Sequence, residues 1–301
     1  VHSEAKAIFV SKKQLPKLSE EAIGRLKLVI AIGDLSFIKA EGSSYTCDGK
    51  VSRPTALDTA AILYTSGTTG KAKGVMLCHR NFCTNVLTSW YSYKIGPRDV
   101  FLSILPMAHT YEMSIGMLYP FAMGAKVEYL QKVPTPSILI ATLAKIRPTA
   151  MLSVPLIIEK IYRSSIVPTI SKSKFLSYLD KHAKGLLYTM VGMKLKKTFG
   201  GRIGFFGIGG AKLDPEVEVF LKKARFPYAI GYGLTETAPL ICSAAPRRTW
   251  PGTTGRPVKG IEVKLEDVNP QTGEGEICVK GPNVMLGYSK DYERTESVLS
   301  Q

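Results

Sequence analysis

The chain concentrates donors for a polyanion in one stretch, Thr65-Ser66-Gly67-Thr68-Thr69-Gly70-Lys71-Ala72-Lys73-Gly74. Its three glycines open backbone torsions closed to other residues and let a ligand approach the main chain closely. Successive N–H groups in such a turn form an anion-binding nest, to which four hydroxyls and two lysines add donors and positive charge. That composition suits a polyphosphate. The alternative is a mobile, soluble Gly/Ser/Thr loop, but ordinary linkers seldom follow an apolar strand with paired lysines. The spacing is not that of a Walker loop, which needs glycine five places after the first. Five places after Gly67 stands Ala72, and five after Gly70 stands Val75.

A second Gly/Thr turn, Gly231-Tyr232-Gly233-Leu234-Thr235-Glu236-Thr237, also follows an apolar run. Ligands of open α/β sheets bind just beyond the carboxyl ends of strands. There Tyr232 could lie against a purine and Thr235 could donate to a phosphate. Glu236 offers the hard carboxylate oxygen that Mg²⁺ prefers. Equally, Glu236 could do no more than favour the dipole of a helix N-terminus. His109, one of four histidines, stands in Pro106-Met107-Ala108-His109 after an apolar run. Taken alone it reads as a satisfied core or surface histidine. Gly209-Gly210-Ala211, taken alone, reads as a tight packing turn.

Strands and helices alternate around these turns. Residues 7–10 and 26–32 predict strands with a polar helix at 15–25 between them, the rhythm of a doubly wound parallel sheet. Ile62-Leu63-Tyr64 reads as the end of a buried strand. Asn81 is placed to cap a helix whose Phe82, Val86 and Trp90 share one face. Strands are expected at 100–105, 126–130, 149–154, 202–206 and 226–231. Helices are expected at 137–145 behind Thr135-Pro136, from Pro155 to Ile161, and behind Asp214-Pro215. Met113–Ala125 reads as a buried helix broken near Pro120, and 164–198 only as helical pieces. Residues 40–57 read as loop. Beyond Pro251, alternating runs at 262–266 and 275–280 predict a small antiparallel β subdomain. The expected division is therefore an α/β body at 1–250 and a β subdomain at 251–301.

Composition narrows the class further. Hydrophobic residues make up 45% of the 301, ordinary for a folded protein. Five cysteines without a C-x-x-C pair argue for a reduced, cytoplasmic protein without a disulfide framework. No apolar run reaches membrane-spanning length. The formal net charge of +16 admits nucleic acid, an anionic membrane surface or a polyanionic substrate as partner. No nucleic-acid recognition motif accompanies it, so the expectation is no nucleic acid, with peripheral membrane contact left open.

The two turns together resemble the signatures of the adenylate-forming superfamily: acyl-CoA synthetases, firefly-luciferase-like enzymes and peptide-synthetase adenylation domains. Tyr64–Gly74 with Val75-Met76-Leu77 and His79-Arg80-Asn81 is similar to the first signature, and Gly231–Thr237 to the second. The resemblance implies ATP, Mg²⁺ and coenzyme A as reaction partners. It implies nucleotide contacts for Thr65, Ser66, Gly67, Thr68, Thr69, Gly70, Lys71 and Lys73, with Gly209, Gly210 and Ala211 lining the adenine pocket. Gly231 and Gly233 flank Tyr232, which would pack on adenine, and Thr235 would touch the α-phosphate. Glu236, with Thr65, would hold the metal, and His109 would sit beside the carboxylate being activated.

Thr110-Tyr111-Glu112, Val154-Pro155-Leu156, Gly255-Arg256-Pro257 and Gly281–Tyr288 look like the long-chain fatty acyl-CoA synthetase branch. The implied reaction turns a long- or medium-chain fatty acid into an acyl-adenylate and then acyl-CoA. An aryl-CoA ligase, an adenylation domain, and a non-catalytic nucleotide- or lipid-binding module are the alternatives. By comparison with that family, further residues are expected before Val1 and after Gln301, including a ribose-binding aspartate and a catalytic lysine. The 301 residues alone are accordingly expected to bind ATP weakly without completing thioester synthesis.

Overall fold

A computed structural model describes residues 3–42, 53–66, 72–130 and 134–299. The chain divides into two compact units, 1–54 and 55–301. The first unit holds β1 (Ala7–Val10), α1 (Glu20–Arg25), β2 (Leu28–Ala31) and β3 (Phe37–Ala40). β1 and β2 run parallel, as the strand–helix–strand rhythm predicts, and β3 returns antiparallel to β2. That third strand falls in a stretch lacking clear alternation. Part of the loop expected at 40–57 lies outside the described residues.

The second unit opens with β4 (Thr59–Ser66) and β5 (Ala72–Cys78), then α2 (His79–Ser92) and β6 (Val100–Ser103). A wide-turned π-helical segment, Glu112–Leu118, runs into α3 (Tyr119–Ala122), followed by β7 (Lys126–Tyr129), α4 (Pro136–Ile146), β8 (Ala150–Ser153) and α5 (Pro155–Ile161). Helices α6 (Val167–Lys172), α7 (Lys174–His182) and α8 (Lys184–Thr198) precede β9 (Phe205–Ile208), α9 (Pro215–Lys223), β10 (Tyr228–Gly233) and β11 (Leu240–Ala244). The chain continues through β12 (Arg256–Pro257), β13 (Glu262–Glu266), β14 (Glu276–Lys280), β15 (Gly287–Tyr288) and α10 (Tyr292–Val298).

The central sheet has the order β12-β11-β10-β9-β8-β6-β7. From β7 to β10 every neighbour is parallel, and β11 and β12 close the edge antiparallel. Successive residues of a strand face opposite sides. Phe101 and Ala150 thus face one layer with Tyr119 and Trp90, while Leu102, Met151 and Phe206 face the other with Leu143, Phe199, Phe220 and Leu221. Helices on both faces are what make the strands continuously apolar.

Three expectations shift. β10 begins at Tyr228, so Gly231-Tyr232-Gly233 lies within the strand and the turn is Leu234–Pro239. Ile62-Leu63-Tyr64 is not a buried strand end. It belongs to a three-stranded antiparallel sheet, β15-β5-β4, in which β4 is an edge and Ile62 and Tyr64 stay 38% and 42% exposed. An edge strand with one solvated face keeps apolar residues that a sequence pattern reads as core. Asn81 is the third residue of α2 rather than its cap, although its Oδ1 accepts the Cys78 N–H at 2.8 Å.

Helix α8 meets α9 through Gly192, where an added Cβ would fall 2.0 Å from the Ala224 carbonyl oxygen. Gly185, on the same helix, has nothing within 4 Å. Gly192→Ala should therefore destabilise the protein by about 3 kcal/mol through overpacking. Gly185→Ala should stabilise it by up to about 1 kcal/mol through helix propensity. Thermal unfolding of the two variants checks this; equal shifts would refute the contact.

Candidate active site

The β4–β5 hairpin sets Thr65 directly opposite Lys73, and β15 sets Tyr288 opposite Val75. Directly paired residues project to the same face, so Thr65, Lys73, Val75 and Tyr288 share one side of this small sheet. From that side the Lys73 ammonium reaches Glu236, donating to Oε1 at 2.6 Å. The Tyr288 hydroxyl donates to the same oxygen at 2.8 Å and accepts from Lys73 Nζ at 2.9 Å. The ammonium also lies 4.6 Å from the centre of the Tyr288 ring, within cation–π range.

Glu236 is held there by its turn. Thr235–Thr237 form a single 3₁₀ turn closed by the cis Ala238–Pro239 bond. Gly233 permits the turn because a Cβ there would fall 1.7 Å from the Pro239 carbonyl oxygen. Two buried asparagines one helical turn apart on α2 secure both flanks. Asn81 Nδ2 donates to the carbonyls of Pro282 and Val284, and the adjacent Met285 N–H donates to the Glu236 carbonyl. Asn85 Nδ2 donates to the Thr237 carbonyl while its Oδ1 accepts the Leu240 N–H.

Burial disfavours charge on Glu236, yet the hydrogen bonds from Lys73 and Tyr288 outweigh it and hold the carboxyl below its ordinary value. For Lys73 burial likewise opposes charge, and the bonds to Glu236 and Tyr288 prevail, raising its value. Both partners therefore stay ionised.

Metal capacity follows from the donors. No group of three or more His, Cys, Asp or Glu converges among the described residues. One carboxylate, Glu236, stands on the same side as Thr65, whose hydroxyl oxygen is buried without a hydrogen-bond partner. That set is too sparse for a resident metal. It fits a Mg²⁺ that arrives with phosphate oxygens and keeps several waters.

Other sequence-predicted residues surround the carboxyl ends of the strands. Gly209, Gly210 and Ala211 follow β9, with Gly209 buried between the Gly231 carbonyl and the Tyr111 ring. Tyr232 is half-buried against Leu240, Ile241 and Val258. His109 is exposed between β6 and the π-helical segment, where its carbonyl accepts the Met113 N–H. Ser66 ends β4, and Gly67, Thr68, Thr69, Gly70 and Lys71 lie outside the described residues. Tyr288 was not singled out as a site residue from the sequence. Its only signal is its place at the end of Gly281–Tyr288, a segment similar to the long-chain branch.

Beside the second turn runs a narrow apolar cleft lined by Tyr93, Tyr111, Ile115, Phe205, Gly207 and Gly231. The Tyr93 and Phe205 rings, 4.8 Å apart, pack together at its wall. Gly207 keeps it open, since a Cβ there would come within 2.9 Å of the Tyr111 hydroxyl.

With a mainly parallel sheet covered on both faces and a Lys–Glu pair beyond its strand ends, the second unit has the architecture of adenylate-forming enzymes. The chain belongs to the AMP-binding enzyme family, whose model matches residues 1–289. The peroxisomal long chain acyl-CoA synthetase 6 of Arabidopsis thaliana is 33% identical over 343 aligned positions, covering 100% of this chain and 48% of that protein. The human long-chain-fatty-acid–CoA ligase 1 is 28% identical, covering 99% and 49%. The chain thus spans about half the length of these relatives. Among solved structures, an ATP-bound RpMatB-BxBclM chimera superposes with a TM-score of 0.70 at 25% identity, over 100% of this chain and 55% of the other. The o-succinylbenzoate CoA synthetase MenE of Bacillus subtilis, in complex with AMP, gives 0.71 at 20% over 100% and 55%, a likeness of fold.

The π-helical segment opens on a buried acid. Glu112 is 1% exposed, and neither carboxyl oxygen has a hydrogen bond of good geometry. Its carboxyl lies over Gly116, where a Cβ would fall 2.7 Å from Glu112 Cδ. Burial pushes it from 4.5 up to about 7, against a weaker pull from the Ser103 hydroxyl. Between those values the folded protein keeps a proton that the unfolded chain releases, so stability falls as pH rises. From pH 5 to pH 8 the natural protein should lose roughly 2 kcal/mol more than Glu112→Gln. Urea unfolding at both pH values measures this, and parallel losses would refute it.

Proposed function

We propose that this chain forms the nucleotide- and carboxylate-binding core of a fatty acid–CoA ligase that activates a long- or medium-chain fatty acid through an acyl-adenylate. The observation that carries the proposal is the meeting of Lys73 and Glu236 just beyond the carboxyl end of β10. The family match and the names of the relatives point the same way.

The chemistry needs positioning and charge neutralisation more than a protein nucleophile. The substrate carboxylate attacks the α-phosphorus of ATP, forming a C–O–P linkage as the α–β bridge breaks and pyrophosphate leaves. The thiol of coenzyme A then takes the acyl group and AMP departs. Lys73 supplies a positive charge to the polyphosphate, and Thr65 and Thr235 supply hydroxyl donors. Tyr288 positions Lys73 and Glu236. Gly67–Lys71 would add backbone donors, and Tyr232 with Gly209–Ala211 would border the adenine. Mg²⁺ held by Glu236 and Thr65 would neutralise phosphate charge. His109 would stand beside the carboxylate, and apolar side chains would hold the acyl chain, each buried CH₂ contributing about 0.8 kcal/mol. No helix among the described residues is long and apolar enough to cross a membrane.

The test is ATP–pyrophosphate exchange by the longest natural form of the protein with fatty and aromatic acids. Exchange should require a fatty acid and fall about 100-fold or more in Glu236→Ala and in Lys73→Met, each a loss of transition-state charge stabilisation. Preference for aromatic acids would assign a different ligase. Undiminished exchange in Glu236→Ala would reject the site.

A further inference from the structure

A second pocket lies at the other end of β10, about 20 Å along that six-residue strand from the Glu236 turn. It has a volume of about 480 Å³ and is lined by Lys222, Arg225, Phe226, Tyr228, Arg247 and Thr249. Among the described residues, none of its three cations forms an ion pair with a carboxylate. The nearby acid, Glu218, is buried in the wall, its Oε2 accepting the Gly252 N–H at 2.9 Å and its Oε1 facing the Tyr228 hydroxyl at 3.5 Å. Lys222 donates to the Arg247 and Thr249 carbonyls at 3.2 and 2.5 Å, tying the loop to α9. Three positive charges thus face one neutralising acid.

The backbone makes the arginines conspicuous. Arg225 closes α9 in the left-handed region, φ 52°, with Phe226 N–H returning to the Leu221 carbonyl. That is the helix-end position where glycine is favoured. Arg247, φ 68°, is the third residue of a turn in which Pro246 is second and Arg248 N–H bonds the Ala245 carbonyl. Glycine or asparagine is favoured there too. A side chain in this region is strained relative to ordinary torsions. Both positions, where glycine would be easiest, carry instead an arginine that lines the same pocket. Strain of this kind marks sites whose side chains are used.

We propose that this pocket binds a phosphate ester, gripped by Arg225 and Arg247 with Lys222 beside them. Planar guanidinium groups match phosphate oxygens in pairs, and a phosphate is the anion they recognise best. The volume falls in the range of roughly 300–1,000 Å³ of organic ligand sites, more than a bare phosphate fills. Phe226 and Tyr228, buried in the core, form only its floor. The ester comes either from a soluble metabolite or from a lipid headgroup, and the site is separate from the nucleotide turns.

The experiment compares the natural chain with the double variant Arg225→Gly/Arg247→Gly, because glycine relieves the strain while removing the charges. Trp250, 74% exposed with Lys222 Nζ 5.9 Å from its ring, reports binding by fluorescence. The probes are glycerol 3-phosphate in solution and phosphatidylcholine vesicles with and without phosphatidic acid. The variant should melt no lower than the natural chain, yet bind at least about tenfold more weakly, as loss of two charge-assisted contacts requires. Saturable binding of glycerol 3-phosphate, lost in the variant, supports a soluble ester. Binding only to phosphatidic acid vesicles, lost likewise, supports a headgroup. Binding unchanged by the substitutions, no binding of either probe, or a variant that melts lower overturns the proposal.

Discussion

The Lys73–Glu236 pair is the contact on which the arrangement of the site rests. It joins two sheets: a small antiparallel one that delivers the lysine and the central, mostly parallel one whose turn delivers the acid. Both side chains are half-buried, so removing one partner leaves the other partly desolvated and uncompensated. Tyr288 completes the contact by touching both, so a single carboxylate oxygen receives two donors. The buried asparagines of α2 work toward the same end, fixing the main chain on both sides of Glu236 so that its carboxylate meets the hairpin.

Alongside this tightly bonded cluster lies a region with little polar satisfaction. The π-helical segment buries Glu112 without a good partner and turns Tyr111 toward the glycines of β9. The cleft between that segment and the sheet owes space to the missing side chain at Gly207. Directional bonds hold the charged end, and vacancy shapes the apolar end. A polar head with an apolar tail matches that division.

Much of this was legible in the residues. The parallel strands announced themselves as short apolar runs between capped helices, and Thr135-Pro136 and Asp214-Pro215 start helices where their chemistry says they should. The two donor-rich turns stood out in the sequence, but not that Lys73 of one pairs with Glu236 of the other, 163 residues on. Three things were hidden. The edge position of β4 has no local signature, since Ile62 and Tyr64 look the same whether a neighbouring strand covers them or water does. Strand β3 lacks alternation and exists because β2 offers it an open edge. Tyr288 acquires its place only through pairing with β5, a tertiary fact that no spacing in the sequence encodes.

That late strand has a kinetic corollary. The Lys73–Tyr288 hydrogen bond spans 215 positions. Closure of so long a loop must precede any reward from the contact, which places it among the slow, non-local steps of folding. During synthesis the β4–β5 hairpin leaves the ribosome long before its third strand exists, and one edge of β5 waits unpaired until Gly287-Tyr288 emerge.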